Sequence, residues 1–304
     1  MRALLAVLLR VVASGCATVD PNDPFAAWRD ATPINAAMDG VKDEVEIAYV
    51  CFDREGATLD ARNANVVMHA ASLMKVAVMV EVFRRIDAGT FSPEDEIPVV
   101  NRFVSVVDGS PYSVGAEDDA DPWVHARVGK TAKVDDLVER MIVRSSNLAT
   151  NVLIEAVGAA NVTASARLLG MDSSAFLRGV EDGKAFRAGI NNTTTAGDMA
   201  RLLFAIYTHR AASRMACDRM MGILGRQEFR DGIPRGSPPG ALIANKTGSI
   251  TKHAHDAAIV FPSNAPPYVL VVMTRGFTSA SDAEAAIARL AAAISGTWGY
   301  PPKS

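Results

Sequence analysis

The chain has 304 residues, enough to bury a large core in one domain or two closely packed ones. Its 31 basic and 34 acidic residues leave a net charge of −3, and 49% of it is hydrophobic. This balance excludes the basic footprint of a nucleic-acid binder, a basic membrane-binding face and a disordered acidic tail, and it leaves a small molecule as the expected partner.

In chain order, Arg2 precedes an apolar run over residues 3–9, and small residues lead to Cys16, which reads as a targeting segment. It resembles a bacterial lipoprotein signal, which implies export and a lipid anchor at Cys16. Arg10 interrupts the run, and Ala13 stands where such signals usually carry leucine. The expected boundaries are a signal over 1–16 and a polar linker over 17–24. No later stretch reaches 18 apolar residues, so no spanning helix is expected.

A first helix is predicted over 25–41 despite Pro33, then a hairpin of strands 44–52 and 57–60 around an Asp53-Arg54-Glu55-Gly56 turn. A helix beginning at Ser72 runs to about Ala88-Gly89, where glycine can end it. Residues 101–131 hold Gly, Pro, Asp108, Glu117, Asp118, Asp119 and Asp121, and read as a long surface loop. Gly129-Lys130-Thr131 inside it is not a phosphate loop, because Val124 stands where that motif requires its first glycine. Helices follow over 134–143, 148–157, 160–169 and 195–207, with a second irregular stretch over 171–192, and another helix over 213–224. Strands return over 241–246, 257–261 and 268–274. A last helix starts at Ser281, whose spacing to Glu284 fits a capping box. Cys51 and Cys217 read as buried free thiols without metal-ligand spacing.

The order predicts an α/β (α+β) protein in two lobes. Residues 25–68 and 209–304 share one antiparallel sheet flanked by the terminal helices, and residues 69–208 insert as an all-helical lobe. A cleft between two such lobes is a natural ligand site.

Ser72 and Lys75 are three apart and share a helix face. A serine hydroxyl needs a neighbour to take its proton, and a buried lysine can lose its own proton to do so. Ser-x-x-Lys alone is weak, since roughly one match per 300 residues is expected by chance, and Ser249-Ile250-Thr251-Lys252 is such a match. Two further stretches lift the first one above chance: Ser145-Ser146-Asn147 at the end of one helix, and Lys246-Thr247-Gly248-Ser249 at the end of one strand. His253, His255 and Asp256 read as structural or rim residues, and no Gly-x-Ser-x-Gly accompanies them. Tyr112 and Trp123 line the cleft or pack the long loop.

Together and in this order the three motifs resemble the S-x-x-K, S-D-N and K-T-G set of class A β-lactamases and penicillin-binding proteins. The resemblance covers nearly the whole mature chain and implies the β-lactamase/transpeptidase-like fold. It implies Ser72 as nucleophile, Lys75 as its base, Ser145 as proton relay, and the N–H groups of Ser72 and Ser249 as oxyanion hole. Asn147 would meet a substrate amide, and Lys246, Thr247, Gly248 and Ser249 would hold its carboxylate. Two departures bear on the reaction. Ser146 replaces the usual aspartate. Glu181 lies in an irregular loop comparable to the one in which such enzymes keep the glutamate that activates the deacylating water, but Ala185 follows four residues later in place of an asparagine that holds that water. Asn191 and Asn192 are the candidates to replace it. The expectation is a monomeric, exported serine β-lactamase working without metal or cofactor. The alternatives are a D-Ala-D-Ala carboxypeptidase or esterase on the same scaffold, and a non-catalytic β-lactam- or peptidoglycan-binding protein.

Overall fold

The computed structural model describes residues 32–38, 44–117, 119 and 121–297. The expected signal, the linker and Cys16 lie outside the described residues, as does most of the expected first helix; its described part is a short helix, α1 (Thr32–Ala37). Five strands form one antiparallel sheet: β1 (Glu46–Phe52), β2 (Thr58–Arg62), β3 (Leu242–Ile250), β4 (His253–Phe261) and β5 (Tyr268–Arg275), in the order β2-β1-β5-β4-β3. The mixed α/β architecture expected from the sequence is the one the chain adopts.

Both faces of this sheet are covered, so its central strands read as nearly continuous apolar runs. Ala48, Val50, Ala257, Ile259, Val269, Val271 and Met273 point to one face. There they meet helices α2 (Met74–Asp87), α3 (Val134–Val143), α4 (Asn147–Val157), α5 (Ala159–Leu168), α6 (Ala196–Tyr207) and α7 (Arg214–Gly225) in one hydrophobic cluster. The alternate residues Ile47, Tyr49, Cys51, Ala258, Val260, Leu270 and Val272 point to the other face and pack on Ile34 of α1 and on α8 (Ala280–Thr297). Helix α2 is buried from Met74 to Phe83, with apolar side chains on every side, as befits a helix at the centre of a core. Gly89 (φ +71°) ends it in the left-handed conformation, as the sequence led one to expect. Cys51 and Cys217 are buried free thiols.

Several local expectations are corrected. Ser72 sits in a 3₁₀ turn (Ala71–Leu73), and the α-helix proper begins at Met74. Strand β3 does not end at Lys246 but runs on to Ile250. The tight turn at Thr251-Lys252, with Lys252 at φ +61°, pairs Ile250 with His253, so Lys246-Thr247-Gly248 lies within a strand. The last helix is capped two residues early, by Ser279 Oγ accepting from Asp282 N at 3.3 Å. The long loop is more ordered than its composition implies: Phe103–Val104 pairs with Pro111–Tyr112, and Pro122–His125 forms a helical turn capped by Asp121. In that loop Trp123 stacks under the guanidinium of Arg127, and Tyr112 packs on Phe103. The loop aromatics therefore pack the loop.

Candidate active site

Three segments far apart in sequence converge on Lys75. The lysine is the second residue of α2 and is wholly buried. Its Nζ donates to Ser145 O at 2.6 Å, to Asn147 Oδ1 at 2.7 Å and to Ser145 Oγ at 3.3 Å. From β3, Lys246 Nζ donates to the same Ser145 Oγ at 3.1 Å and to Thr247 O at 2.8 Å. Every acceptor that these bonds reach is neutral, so no opposite charge at contact distance offsets the loss of water around the two ammonium groups. Desolvation pulls Lys75 down to about 7, against the opposing charges of Asp119 and Glu181. Lys246 is driven well below the usual lysine range, by burial first and then by the charge of Lys75. An amine that is half neutral near pH 7 can take a proton from a hydroxyl.

The turn between α3 and α4 explains why Ser145 and Asn147 reach Lys75. Ser145 has φ +56°, outside the range most side chains tolerate, and Ser146 then caps α4 by accepting from Ala149 N at 3.1 Å. Ser72 is presented in the same strained manner, with Ala71 before it at φ +46°. His69 Nδ1 accepts from Ala71 N at 3.0 Å, and His255 Nε2 donates to His69 O at 2.9 Å while its Nδ1 accepts from Thr274 N at 3.1 Å. Both imidazoles must be neutral to accept in this way, and burial holds each near 4.

Strand β3 is at the edge of the sheet and runs past Ser72 at close quarters. A Cβ on Gly248 would stand 3.0 Å from Ser72 N, 3.1 Å from Leu73 N and 3.2 Å from the Ala71 Cβ, so glycine is what permits the approach. Beneath it, Asp256 is wholly buried; its carboxylate accepts from Ile233 N at 2.8 Å and Asn245 Nδ2 at 3.0 Å, and burial pushes it up to about 6.

Glu181 comes from the irregular stretch after α5. It is exposed, has φ +61°, and accepts from Asn147 Nδ2 at 3.0 Å. Asn151 pins the loop from α4: its Nδ2 donates to Val180 O at 2.9 Å and its Oδ1 accepts from Val180 N at 2.7 Å. The two asparagines that follow are committed to the same loop. Asn191 Oδ1 accepts from Arg178 Nη2 at 3.1 Å. Asn192 accepts from Leu177 N and Arg178 N, and donates to Arg178 O and the Met74 sulfur. Ala185 is buried in the short helix Gly183–Arg187.

Two cavities, of about 320 and 300 Å³, open on either side of Ser72 and share Ser72, Asn147 and Ser249 as lining. One extends along Thr247 and Gly248 toward Asp256 and Glu284; the other runs under Glu181, Arg178 and Asn192. Every residue singled out from the three motifs thus gathers at this junction, and so does Glu181. His69, Asp119 and Asn151, which hold it together, carry no motif that would have marked them. Among the described residues there is no cluster of metal-ligating side chains, and no helix is long and apolar enough to cross a membrane.

A family model described as the beta-lactamase enzyme family matches residues 31–298. Among solved structures, the chain is similar to a beta-lactamase from Sphaerobacter thermophilus DSM 20745, at 27% identity over 90% of this chain and 99% of that one, with a TM-score of 0.78. A beta lactamase from Xanthomonas campestris pv. campestris str. ATCC 33913 shares the fold at 22% identity (88% and 96% covered, TM-score 0.75). So does PBP-A, at 22% identity (86% and 94% covered, TM-score 0.73). No curated protein matches the chain.

Proposed function

The chain belongs to the β-lactamase enzyme family, and we propose that it is a serine hydrolase that opens the β-lactam amide through an acyl-Ser72 intermediate. The observation that carries this reading is the buried Lys75, held by Ser145 and Asn147 with a proton affinity near neutrality. Neutral Lys75 takes the Ser72 proton as Oγ bonds to the lactam carbonyl carbon. The oxygen that gains charge is met by the N–H groups of Ser72 and Ser249. When the C–N bond breaks, the nitrogen takes the Ser145 hydroxyl proton, and Lys75, now an ammonium, returns one to Ser145 across the 3.3 Å contact. The field of Lys246 favours this transfer, and Lys246 with Thr247 and Ser249 receives the substrate carboxylate. Water then attacks the ester, its proton going to Glu181, and Ser72 recovers its hydrogen as the acid leaves.

A second reading rests on a specific observation: Ala185 is buried, and the amides of Asn191 and Asn192 are already engaged within their own loop. With no amide from position 185, 191 or 192 to help Glu181 hold the water, deacylation is slow and the protein behaves as a penicillin-binding carboxypeptidase. Nitrocefin turnover with intact-mass readout separates the two. Steady hydrolysis supports the lactamase; a stoichiometric burst with a lasting adduct on Ser72 supports the second reading. Neither turnover nor adduct would leave a non-catalytic binding protein. We further propose export of the chain through its N-terminal segment with Cys16 as lipid acceptor, which metabolic labelling with a radioactive fatty acid tests against a Cys16→Ala variant.

A further inference from the structure

The middle position of Ser145-Ser146-Asn147 lacks a carboxylate, yet a carboxylate occupies the turn. Asp119, on the long loop 27 residues before Ser146, inserts a side chain with no solvent exposure. Its Oδ2 accepts from Ser146 Oγ at 2.9 Å and from Leu148 N at 2.8 Å. Ser146 Oγ accepts in turn from Ala149 N at 3.1 Å. Asp119 Oδ1 accepts from Asp121 N at 3.0 Å within the loop itself, and a buried carboxylate fixes the two donors on its other oxygen more firmly than a neutral acceptor would. Both belong to the segment that carries Ser145 and Asn147 to Lys75.

We propose that Asp119 is the positioning residue of the second motif: it supplies from the long loop the carboxylate that the motif lacks, and so fixes the Ser145–Asn147 turn against Lys75. The proposal rests on the acyl-transfer reading above. Among the described residues, two further charged or titratable groups stand beside the turn. His125 Nε2 lies 3.3 Å from Asp119 Oδ2 without the alignment of a hydrogen bond, and Arg140 leans toward Asp121 at 3.6 Å. Lys75 is faced by Asp119, by Glu181 and by Lys246, with the two carboxylates favouring its charged form and burial opposing it. Removal of the Asp119 charge therefore lets Lys75 lose its proton at lower pH.

The test uses the full chain and the variants Asp119→Asn, Ser146→Asp and the double Asp119→Asn/Ser146→Asp. Lysine ε-carbon NMR titration follows Lys75, and acylation by a fluorescent penicillin gives the rate across pH. Asp119→Asn should acylate about 10- to 100-fold more slowly, the range expected of a misplaced catalytic group, with Lys75 titrating below the parent. Ser146→Asp alone should also lose rate, by crowding two carboxylates. The double variant, which returns one carboxylate to the turn from within the motif, should recover to within a few-fold and restore the Lys75 titration. An Asp119→Asn protein that melts lower but keeps the parental Lys75 titration and rate would overturn the proposal, as would a folded double variant no better than the single. If neither Asp119 variant folds, Asp119 is a fold-stabilising acid that the motif position cannot replace, and the proposal fails. If the parent takes no penicillin adduct, the acyl-transfer reading falls, while the lysine titration still decides on Asp119.

Discussion

Lys75 and Lys246 donate to one and the same hydroxyl, Ser145 Oγ, at 3.3 and 3.1 Å, and both are fully buried. Two ammonium groups on one oxygen in a dry site cannot both be held comfortably in the charged form, and the charge of Lys75 indeed lowers the proton affinity of Lys246. Because the two sites are coupled, any kinetic pKa belongs to the pair and not to either lysine.

The pH profile of acylation follows from this. Lys75 must be neutral to accept the Ser72 proton, and it becomes so as pH rises through about 7. The single-turnover acylation rate should climb across that range and level off above it. Lys75→Met should remove the limb together with about 10²- to 10⁴-fold of the rate. A limb that persists in Lys75→Met would assign it to another group.

Glu181→Gln isolates the second half of the reaction. The substitution keeps an oxygen for the Asn147 amide, now at 3.0 Å from Glu181, but cannot take a proton from water. Acylation should proceed near the parental rate while the acyl-enzyme accumulates to full occupancy by mass. An unchanged steady-state turnover would remove Glu181 from the mechanism.

Gly248→Ala tests the approach of β3 to the nucleophile. The new methyl group meets two backbone nitrogens and the Ala71 Cβ at 3.0 to 3.2 Å, none of which is the end of a flexible side chain. Overpacking of this kind costs about 1–3 kcal/mol, so Tm should fall by a few degrees. The acylation rate should fall by more than the stability loss explains, because the shift separates Ser249 from Ser72. A variant with lowered Tm and parental acylation would show that the spacing does not govern the chemistry.

His69 and His255 make stability depend on acid. Each has a folded-state pKa of about 4, below the ordinary value of 6.5. The unfolded chain therefore binds more protons than the folded one between these limits, and stability is present in full above pH 6.5 and is lost as pH falls toward 4. Denaturant midpoints at pH 7, 5.5 and 4 should fall in that order, and His255→Asn should flatten the trend. Equal acid sensitivity in parent and variant would place the effect elsewhere.

The sequence made the elements of the site legible but not its supports. Ser72, Lys75, Ser145, Asn147 and Lys246 were found because their order and spacing form a pattern that a single chain can display. The apolar runs of β1, β4 and β5 and the helical spacing of α6 were equally plain, since core burial writes a period into the sequence. Asp119 was hidden among loop acids because its partner lies 27 residues away, and composition cannot tell a buried acid from a solvated one. The continuation of β3 past Lys246 is not legible because Gly248 is a poor strand residue that interrupts the pattern, and it is pairing with His253 to Ala257 that holds the segment extended. Ser279 and Ser281 are two hydroxyls in one helix start, and only coordinates choose between them.

The two cavities meet at Ser72, and this gives the proposed chemistry a direction in time. On the proposed reading, the substrate sets its carbonyl at Ser72 with one half in each arm. When a linear peptide is cut, its amine half becomes a separate molecule and vacates its arm, so the next nucleophile can enter from that side. A ring that opens keeps its two halves tied together. Its amine half stays lodged beside Thr247 and Gly248, and water must then come from the other arm, past Glu181.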